Sequence, residues 1–179
     1  MMARCDRPSG SVEAMIALGS NLGHPIEQLE RAFQALDRLP QTSVERCSML
    51  YANPPMGPQD QPDYVNAVAL LVTRLSPGGL LNALKALEQA AGRYATRYWG
   101  ERVLDLDILT YGDLIIDTRE LTVPHPGIAD RRFVLAPWHE IAPDAVLPDH
   151  RRIADLLAAS PEHALRVIPR AVIRSDPTP

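Results

Sequence analysis

Apolar positions in the first part of the chain change from strand-like to helical spacing. Residues 12–18 form a nearly continuous apolar run, interrupted by Glu13, and its length predicts a buried strand. Residues 19–23 predict a tight turn, and Pro25 is well placed in the first turn of a helix. The apolar positions at helical spacing are Ile26, Leu29, Phe33, Leu36 and Leu39.

Two further segments predict strands on either side of a rigid loop. Residues 42–51 mix apolar and polar side chains, and residues 64–73 form a more apolar run. Residues 53–62, which lie between them, contain four prolines and one glycine. This composition excludes a helix and a central strand, and such loops in compact domains are often functional.

A second helix and a fourth strand follow. Ser76 and Pro77 are typical of a helix cap and a first turn, and Gly92 ends the helical pattern. The fourth strand is predicted over residues 102–110. The apolar stripe of the helix comprises Leu80, Leu84, Leu87 and Ala91.

The C-terminal part is less regular. Residues 122–127 predict a second rigid loop, and residues 130–135 a short helix. A last amphipathic helix is indicated by Ile153, Leu156 and Leu157, and the residues after it show no clear pattern.

The order of elements predicts the fold class. Strand, helix, two strands, helix and strand form the βαββαβ pattern of a ferredoxin-like core. We expect an α+β domain with an antiparallel sheet, helices packed on its faces and extra C-terminal strand and helix elements. Residues 12–160 are predicted to form this single domain, between a flexible leader, 1–11, and a C-terminal tail, 161–179.

Composition and charge exclude several functions. The net charge of −4 over 179 residues gives no basic stripe for nucleic acid, and an apolar fraction of 46% is enough for a core. The two cysteines, Cys5 and Cys47, cannot form a disulfide framework or a four-sulfur zinc site. Because no apolar run is long enough to span a membrane, we expect a soluble, cytoplasmic protein.

The fourth predicted strand contains two aspartates. Alternation puts Asp105 and Asp107 on one face, and the other face carries Leu104, Leu106 and Ile108. Aspartate is a poor strand former, so two in one strand need a reason. Their α-carbons should be roughly 6.5–7 Å apart. Carboxylates at this spacing suit Mg²⁺, which takes one or two of them with waters and substrate phosphates. The plainer interpretation is a half-solvated face with two acids.

Arginines and a tryptophan precede these acids. Arg93, Arg97 and Arg102 bracket Trp99, so guanidinium groups could neutralise a polyphosphate while the indole stacks on a flat ring. Lys85 is the sole lysine among 18 basic residues, so a phosphate site must rely mainly on arginine. The plainer interpretation is a solvated loop whose tryptophan covers the core edge. The chain has no Walker A pattern, which argues against a P-loop NTPase.

Four segments, in the correct order, resemble the 6-hydroxymethyl-7,8-dihydropterin pyrophosphokinases. Residues 99–108, with the sequence Trp-Gly-Glu-Arg-Val-Leu-Asp-Leu-Asp-Ile, resemble the signature of this family. Residues 17–22 resemble its first strand and turn, and residues 54–66 its substrate loop and third strand. Residues 121–126 resemble its late nucleotide loop.

The resemblance implies transfer of pyrophosphate from ATP to 6-hydroxymethyl-7,8-dihydropterin in folate biosynthesis, with AMP as the other product. It implies two Mg²⁺ ions held by Asp105 and Asp107, with Arg93 and Arg102 as further catalytic residues. The residues implied around the pterin are Asn53, Pro54, Met56, Tyr64, Asn66, Trp99 and Phe133. Those implied around ATP are Glu88, Arg93, Arg97, Trp99, Arg102, Ile108, Thr122, His125 and Arg131.

Two other functions stay open on the residues alone. A metal-dependent nucleotidyltransferase would form pyrophosphate instead of AMP, and it usually needs a third acid that the sequence does not identify. A ferredoxin-like regulatory domain would bind a small ligand without needing Mg²⁺. Plainer interpretations, as core, strand or loop residues, also exist for Tyr64, Asn66, Phe133 and His125. We expect a monomer that binds neither nucleic acid nor membrane.

Overall fold

The computed structural model describes residues 9–92, 100–161 and 164–169. Its first elements are β1 (Val12–Ser20), α1 (Pro25–Asp37), β2 (Thr42–Cys47), β3 (Leu50–Asn53), β4 (Tyr64–Thr73), α2 (Pro77–Ala90) and β5 (Asp105–Tyr111). The later elements are β6 (Ile116–Asp117), β7 (Thr122–Val123), α3 (Arg132–Ile141), α4 (Ile153–Ala159) and β8 (Arg166–Ile168).

A six-stranded antiparallel sheet organises the fold. Its strand order is β5-β1-β4-β3-β8, and β2 also pairs with β4. With β2 and β3 taken as two parts of one strand, the chain follows the βαββαβ order of a ferredoxin-like core. The predicted α+β class is therefore confirmed.

The single strand predicted over residues 42–51 is divided in two at Ser48. The backbone N–H of Ser48 donates to Val68 O at 2.9 Å, and Val68 N–H donates to the Ser48 hydroxyl at 3.0 Å. Because a side-chain oxygen accepts here in place of a backbone carbonyl, the ladder between the strands is interrupted. The prediction of one continuous strand was wrong in this respect.

Two other predicted boundaries differ from the structure. Gly19 and Ser20 extend β1, although they were assigned to a turn. The fourth predicted strand begins at Asp105 instead of residue 102. The backbone of Arg102 instead exchanges hydrogen bonds with Asn21, because Asn21 N–H donates to Arg102 O at 3.0 Å and Asn21 Oδ1 accepts from Arg102 N–H at 2.8 Å.

Helices α1 and α2 cover one face of the sheet. Ala14, Ile16 and Leu18 alternate along β1 and are at most 2% exposed, because they pack against the apolar sides of both helices. As predicted, α1 begins at Pro25, and the Ser76 hydroxyl caps α2 by accepting from Gly79 N–H at 3.1 Å.

Helices α3 and α4 cover the opposite face. Met15 and Leu109 pack there against Val134, Leu135 and Trp138. Helix α3 extends beyond the predicted residues 130–135, because Pro137 lies inside the helix instead of ending it.

The C-terminal segment contributes a strand that the sequence pattern did not indicate. Residues 166–168 lie in the expected tail 161–179, and they form β8 by pairing with β3. Among the described residues, no helix has the length and apolar character needed to cross a membrane.

Candidate active site

Two aspartates project from β5 on the face covered by α3. Asp105 is paired with Gly19 of β1, and Asp107 with Ala17. Leu106 and Ile108 lie on the other face, in the core under α1 and α2, where they are 5% and 3% exposed. The structure thus shows the alternation expected for a strand.

Nitrogen-containing side chains approach both carboxylates. Arg102 Nη1 donates to Asp105 Oδ2 at 2.5 Å. Arg131 Nη1 lies 3.7 Å from Asp107 Oδ2, and His125 Nε2 lies 3.8 Å from the same oxygen. The side chains of Asp105 and Asp107 remain 23% and 37% exposed, so a ligand can reach them.

The protonation of His125 follows from its contacts. Its Nδ1 accepts a hydrogen bond from Gly127 N–H at 3.0 Å, which leaves the Nε2–H toward Asp107. Burial lowers the pKa of His125, although the charge of Asp107 opposes this shift. Burial and then the charge of Asp105 raise the pKa of Asp107. A divalent cation between the two aspartates would relieve their repulsion.

A buried pair of amides lies across β1 from these aspartates. Asn66 Nδ2 donates to Asn53 Oδ1 at 2.6 Å, and Asn53 Nδ2 donates to Pro54 O at 2.7 Å. Asn66 and Asn53 are 6% and 5% exposed. Asn66 is paired with Gly19, so Asp105, Gly19 and Asn66 form one row across three adjacent strands. With strands roughly 4.8 Å apart, the ends of this row are roughly 10 Å apart.

A cavity of about 320 Å³ joins one aspartate to the amides. Its lining combines residues implied for the pterin with residues implied for ATP and metal. The lining comprises Gly19, Asn53, Met56, Gly57, Tyr64, Asn66, Arg102, Asp105, Arg131 and Phe133. The Tyr64 hydroxyl donates to Gly100 O at 2.8 Å, which ties this wall to the segment before β5.

A larger cavity of about 840 Å³ lies at the other end of the same sheet face. Its walls include Met15, Leu70, Tyr111 and Trp138, and none of the predicted site residues that the structure describes lines it. Because convergent charged and amide groups identify a site better than volume does, we assign the candidate site to the smaller cavity.

Some predicted residues lie away from this cavity. Glu88 on α2 is 5% exposed, and its Oε1 accepts from Leu106 N–H at 2.8 Å. Because the side chain of Ile108 is in the core on the other face, a contact with ATP would have to use its backbone. Thr122 belongs to β7 and pairs with Asp117. The predicted residues Arg93, Arg97 and Trp99 lie outside the described residues.

Comparison with known proteins identifies the family. A family model for 7,8-dihydro-6-hydroxymethylpterin-pyrophosphokinase (HPPK) matches residues 15–143. The chain belongs to this family. A 2-amino-4-hydroxy-6-hydroxymethyldihydropteridine pyrophosphokinase of Haemophilus influenzae is 49% identical over 154 residues, which cover 86% of this chain and 96% of that protein. The protein of the same name from Pseudomonas aeruginosa is 47% identical over 156 residues, covering 87% and 96%.

The HPPK fold also matches solved structures. A crystal structure of Plasmodium falciparum HPPK-DHPS superposes with a TM-score of 0.63 over 82% of this chain, at 14% identity. A triple mutant of that protein gives a TM-score of 0.67 at 13% identity. The chain spans 43% of each of these longer chains, and at such identities the likeness concerns the fold alone. As a member of the HPPK family, the chain is an enzyme, a pyrophosphokinase.

Asn21, which the sequence analysis did not single out, links three segments beside the candidate site by hydrogen bonds. It is 1% exposed, and its Nδ2 donates to Gln61 Oε1 and to Pro62 O, both at 3.1 Å. Its Oδ1 accepts from Arg102 N–H at 2.8 Å. An asparagine in a Gly-Ser-Asn segment ordinarily indicates a turn, so its partners could not be read from its position in the sequence.

Gly127 positions both side chains that face Asp107. Its N–H donates to His125 Nδ1, and a Cβ at this position would lie 2.8 Å from Arg131 Nε. A larger residue would therefore require the Arg131 guanidinium to shift. The only sequence signal was the rigid loop 122–127.

Proposed function

We propose that this HPPK-family enzyme transfers the pyrophosphoryl group of ATP to the hydroxymethyl group of 6-hydroxymethyl-7,8-dihydropterin, with release of AMP, in folate biosynthesis. One observation carries the proposal. In a single cavity, Asp105 faces Asn66 across Gly19, so a carboxylate suited to metal and an amide suited to a ring edge serve one ligand site. Membership of the family supports pyrophosphate transfer.

The amide side of the cavity is proposed to bind the pterin. Asn66 offers its amide oxygen to the ligand. The buried side chain of Asn53 accepts from the Asn66 amide nitrogen and so fixes the orientation of that amide. Phe133 lines the same cavity and supplies flat apolar area, and Trp99 is proposed as the second stacking ring. The backbone of Asn53, Pro54 and Met56, together with the Tyr64 side chain, is proposed to complete this subsite.

The aspartate side is proposed to hold two Mg²⁺ ions. Asp105 and Asp107 offer hard oxygen donors, which fit Mg²⁺. No group of three or more His, Cys, Asp and Glu side chains in the described part of the chain could hold a metal. Waters and substrate phosphates would therefore supply the other ligands, as is usual for Mg²⁺. When bound, Mg²⁺ would neutralise phosphate charge and orient the reacting oxygens.

The cationic groups are proposed to bind the phosphates. Arg102 is anchored on Asp105, and Arg131 and the Nε2–H of His125 lie beside Asp107, so all three can donate to phosphate oxygens. Arg93 and Arg97 are proposed to add further contacts. The remaining proposed ATP contacts are Trp99, Thr122 and the backbone of Ile108. Glu88 is proposed to act indirectly, through the hydrogen bond that its Oε1 accepts from Leu106 N–H.

The proposed reaction is an in-line displacement. The hydroxymethyl oxygen forms a bond to the β-phosphorus of ATP and releases its proton to solvent. The bond from that phosphorus to the oxygen that bridges it to the α-phosphorus breaks, and AMP leaves with that oxygen. The chain contributes by holding the two substrates in line and by excluding water. Arg93 and Arg102, joined by Arg131, are proposed to offset the negative charge that develops on the phosphate oxygens.

The proposal is tested by incubating the protein with ATP, MgCl₂ and 6-hydroxymethyl-7,8-dihydropterin. We expect AMP and pterin diphosphate in equal amounts, loss of both with a chelator, and recovery when Mg²⁺ is restored. Release of pyrophosphate would indicate a nucleotidyltransferase instead. Pterin or ATP binding that is independent of Mg²⁺, without product, would indicate a regulatory domain. A cytoplasmic location and a monomeric state stay predictions, and light scattering in solution tests the latter.

A further inference from the structure

Side-chain size decreases along β1 toward the active site. On the face covered by α3, Met15, Ala17 and Gly19 follow one another at alternate positions. Gly19 is flanked in register by Asp105 of β5 and Asn66 of β4. The row across the sheet therefore carries a carboxylate, a position without a side chain, and an amide.

The backbone does not require glycine at position 19. Its φ lies outside the left-handed region, so the conformation is open to any residue. Glycine within a strand is less favourable than alanine, because it loses more conformational freedom and has no side chain to pack. Another property must therefore explain the glycine.

That property is the space that the missing side chain leaves on the α3-covered face of β1. A Cβ at position 19 would lie 3.0 Å from Asn66 Oδ1, which is closer than an ordinary van der Waals contact. The Asn66 amide has little freedom to move away, because its Nδ2 donates to Asn53 Oδ1 at 2.6 Å and both residues are buried. The missing side chain of Gly19 thus lets the amide oxygen of Asn66 reach over β1.

We infer that Gly19 is a positioning residue of the pterin subsite, which acts through Asn66. Its missing side chain leaves the Asn66 amide oxygen in the gap, where that oxygen accepts a hydrogen bond from an N–H on the edge of a planar heterocycle. This inference rests on the proposed function, because the heterocycle concerned is the pterin. Within the described residues, Asn66 Oδ1 is the atom that a Cβ at position 19 would meet within 4 Å, so the change should leave in place the aspartates proposed to hold Mg²⁺ and the arginines proposed to bind phosphate.

The first test compares Gly19→Ala with the same change at Gly78. A Cβ at Gly78, which is exposed on α2, would have no atom within 4 Å. We expect Gly19→Ala to raise the KM for the pterin roughly 10- to 200-fold, the range for one methylene group in a binding pocket. The KM for ATP should not change in Gly19→Ala. Gly78→Ala should leave both KM values as in the wild type, and its melting temperature should not fall, because alanine is more favourable than glycine in a helix.

Two outcomes would overturn the inference. One is an unchanged KM for the pterin in Gly19→Ala, and the other is a parallel rise in KM for both substrates. If the wild type forms no AMP, the proposed function fails. If the wild type is active and Gly19→Ala behaves like it, only the role of Gly19 fails.

A second comparison does not depend on the folding of Gly19→Ala. In an Asn66→Ala background, the atom nearest to the new methyl group is absent. Calorimetric titration with the pterin should then give the same affinity for Asn66→Ala and for Gly19→Ala/Asn66→Ala. A further large loss in the double variant would show that Gly19 acts independently of Asn66 and would refute the inference.

Discussion

Strand β5 carries two different surfaces on one backbone. Toward α1 and α2, Leu106 and Ile108 are 5% and 3% exposed and join a continuous apolar core. Toward α3, the side chains of Asp105 and Asp107 stay 23% and 37% exposed among arginines and a histidine. One surface is filled with apolar side chains and the other is left open, so the residues that hold the fold and those that form the site alternate along the strand.

Strand β1 also has two different faces, but here large apolar side chains on one face contrast with small residues on the other. Ile16 and Leu18 fill the core face, whereas Ala17 and Gly19 lie opposite Asp107 and Asp105 on the other face. The site is therefore made by small side chains on one strand and by charged side chains on its neighbour. Substitutions on the two faces should accordingly change different measurable quantities.

The largest effect is expected from Leu106→Ala on the core face. Removing a buried leucine side chain costs roughly 2–5 kcal/mol of unfolding free energy, through lost burial and the cavity left behind. Chemical denaturation measures this loss. Activity per folded molecule at low temperature should be kept, because Leu106 points away from the cavity.

The control for Leu106→Ala is Leu114→Ala, because Leu114 is 48% exposed. It should leave the unfolding free energy near that of the wild type. If Leu106→Ala lowers kcat without changing the unfolding free energy, the assignment of stability to one face and activity to the other is contradicted.

Asp107→Asn changes the next residue of β5, on the site face, and should lower kcat without lowering stability. Losing one carboxylate charge at the proposed metal and phosphate site should lower kcat roughly 10²- to 10³-fold, the range for removing one electrostatic contact to the transition state. The pKa of Asp107 is raised by burial and by Asp105, so its ionised form is disfavoured in the folded protein. A neutral isostere should therefore not lower the melting temperature, measured without divalent cations.

Asp113→Asn serves as the control, because Asp113 lies exposed in a turn after β5. AMP formation should be unaffected by this change. Wild-type activity in Asp107→Asn, or a large drop in its melting temperature, would argue against the assignment of this face to catalysis.

The sequence predicted the contrast on β5 because strand alternation is a local property. The same holds for the order of elements up to β5, for Pro25 at the start of α1 and for the Ser76 cap. Each depends on residues within one or two turns or strand repeats of one another. These features required no knowledge of the partner strands.

The features that the sequence did not predict depend on distant partners. The break at Ser48 needs the N–H of Val68, and the pairing of β8 needs β3. The role of Gly19 depends on Asn66, which is adjacent only across the sheet. Such relations are absent from a local pattern, whereas a family resemblance can assign the residues without explaining how they meet.

A third prediction concerns Asn21, which joins β1 to the site side of the sheet. In Asn21→Ala, the buried Gln61 Oε1 and the part-buried Arg102 N–H would each lose a partner, and a buried polar group left unsatisfied costs roughly 1–3 kcal/mol. Unlike the first two variants, this one should lower both the unfolding free energy and kcat, because Arg102 contacts Asp105. Denaturation and AMP release are measured on the same samples.

Asn82→Ala makes the same chemical change at an exposed position of α2 and should lower neither quantity. If Asn21→Ala lost stability but kept full kcat, Asn21 would belong with the core residues and would not help to position Arg102.

The smallest effect is expected at the Ser76 cap of α2, the helix that covers the apolar face. Ser76→Ala removes the acceptor for Gly79 N–H and should lower the unfolding free energy by about 1 kcal/mol. Ser76→Thr keeps a hydroxyl and should retain most of that stability.

The Ser76 cap also tests whether the two faces are coupled. Helix α2 contacts β5 from the core side, and Glu88 accepts from Leu106 N–H, so a loosened α2 has a route to the aspartates through the strand backbone. Unchanged KM values and kcat in Ser76→Ala would show that the two faces are energetically separate, whereas a fall in kcat would show that support of the site extends through β5 to its far side.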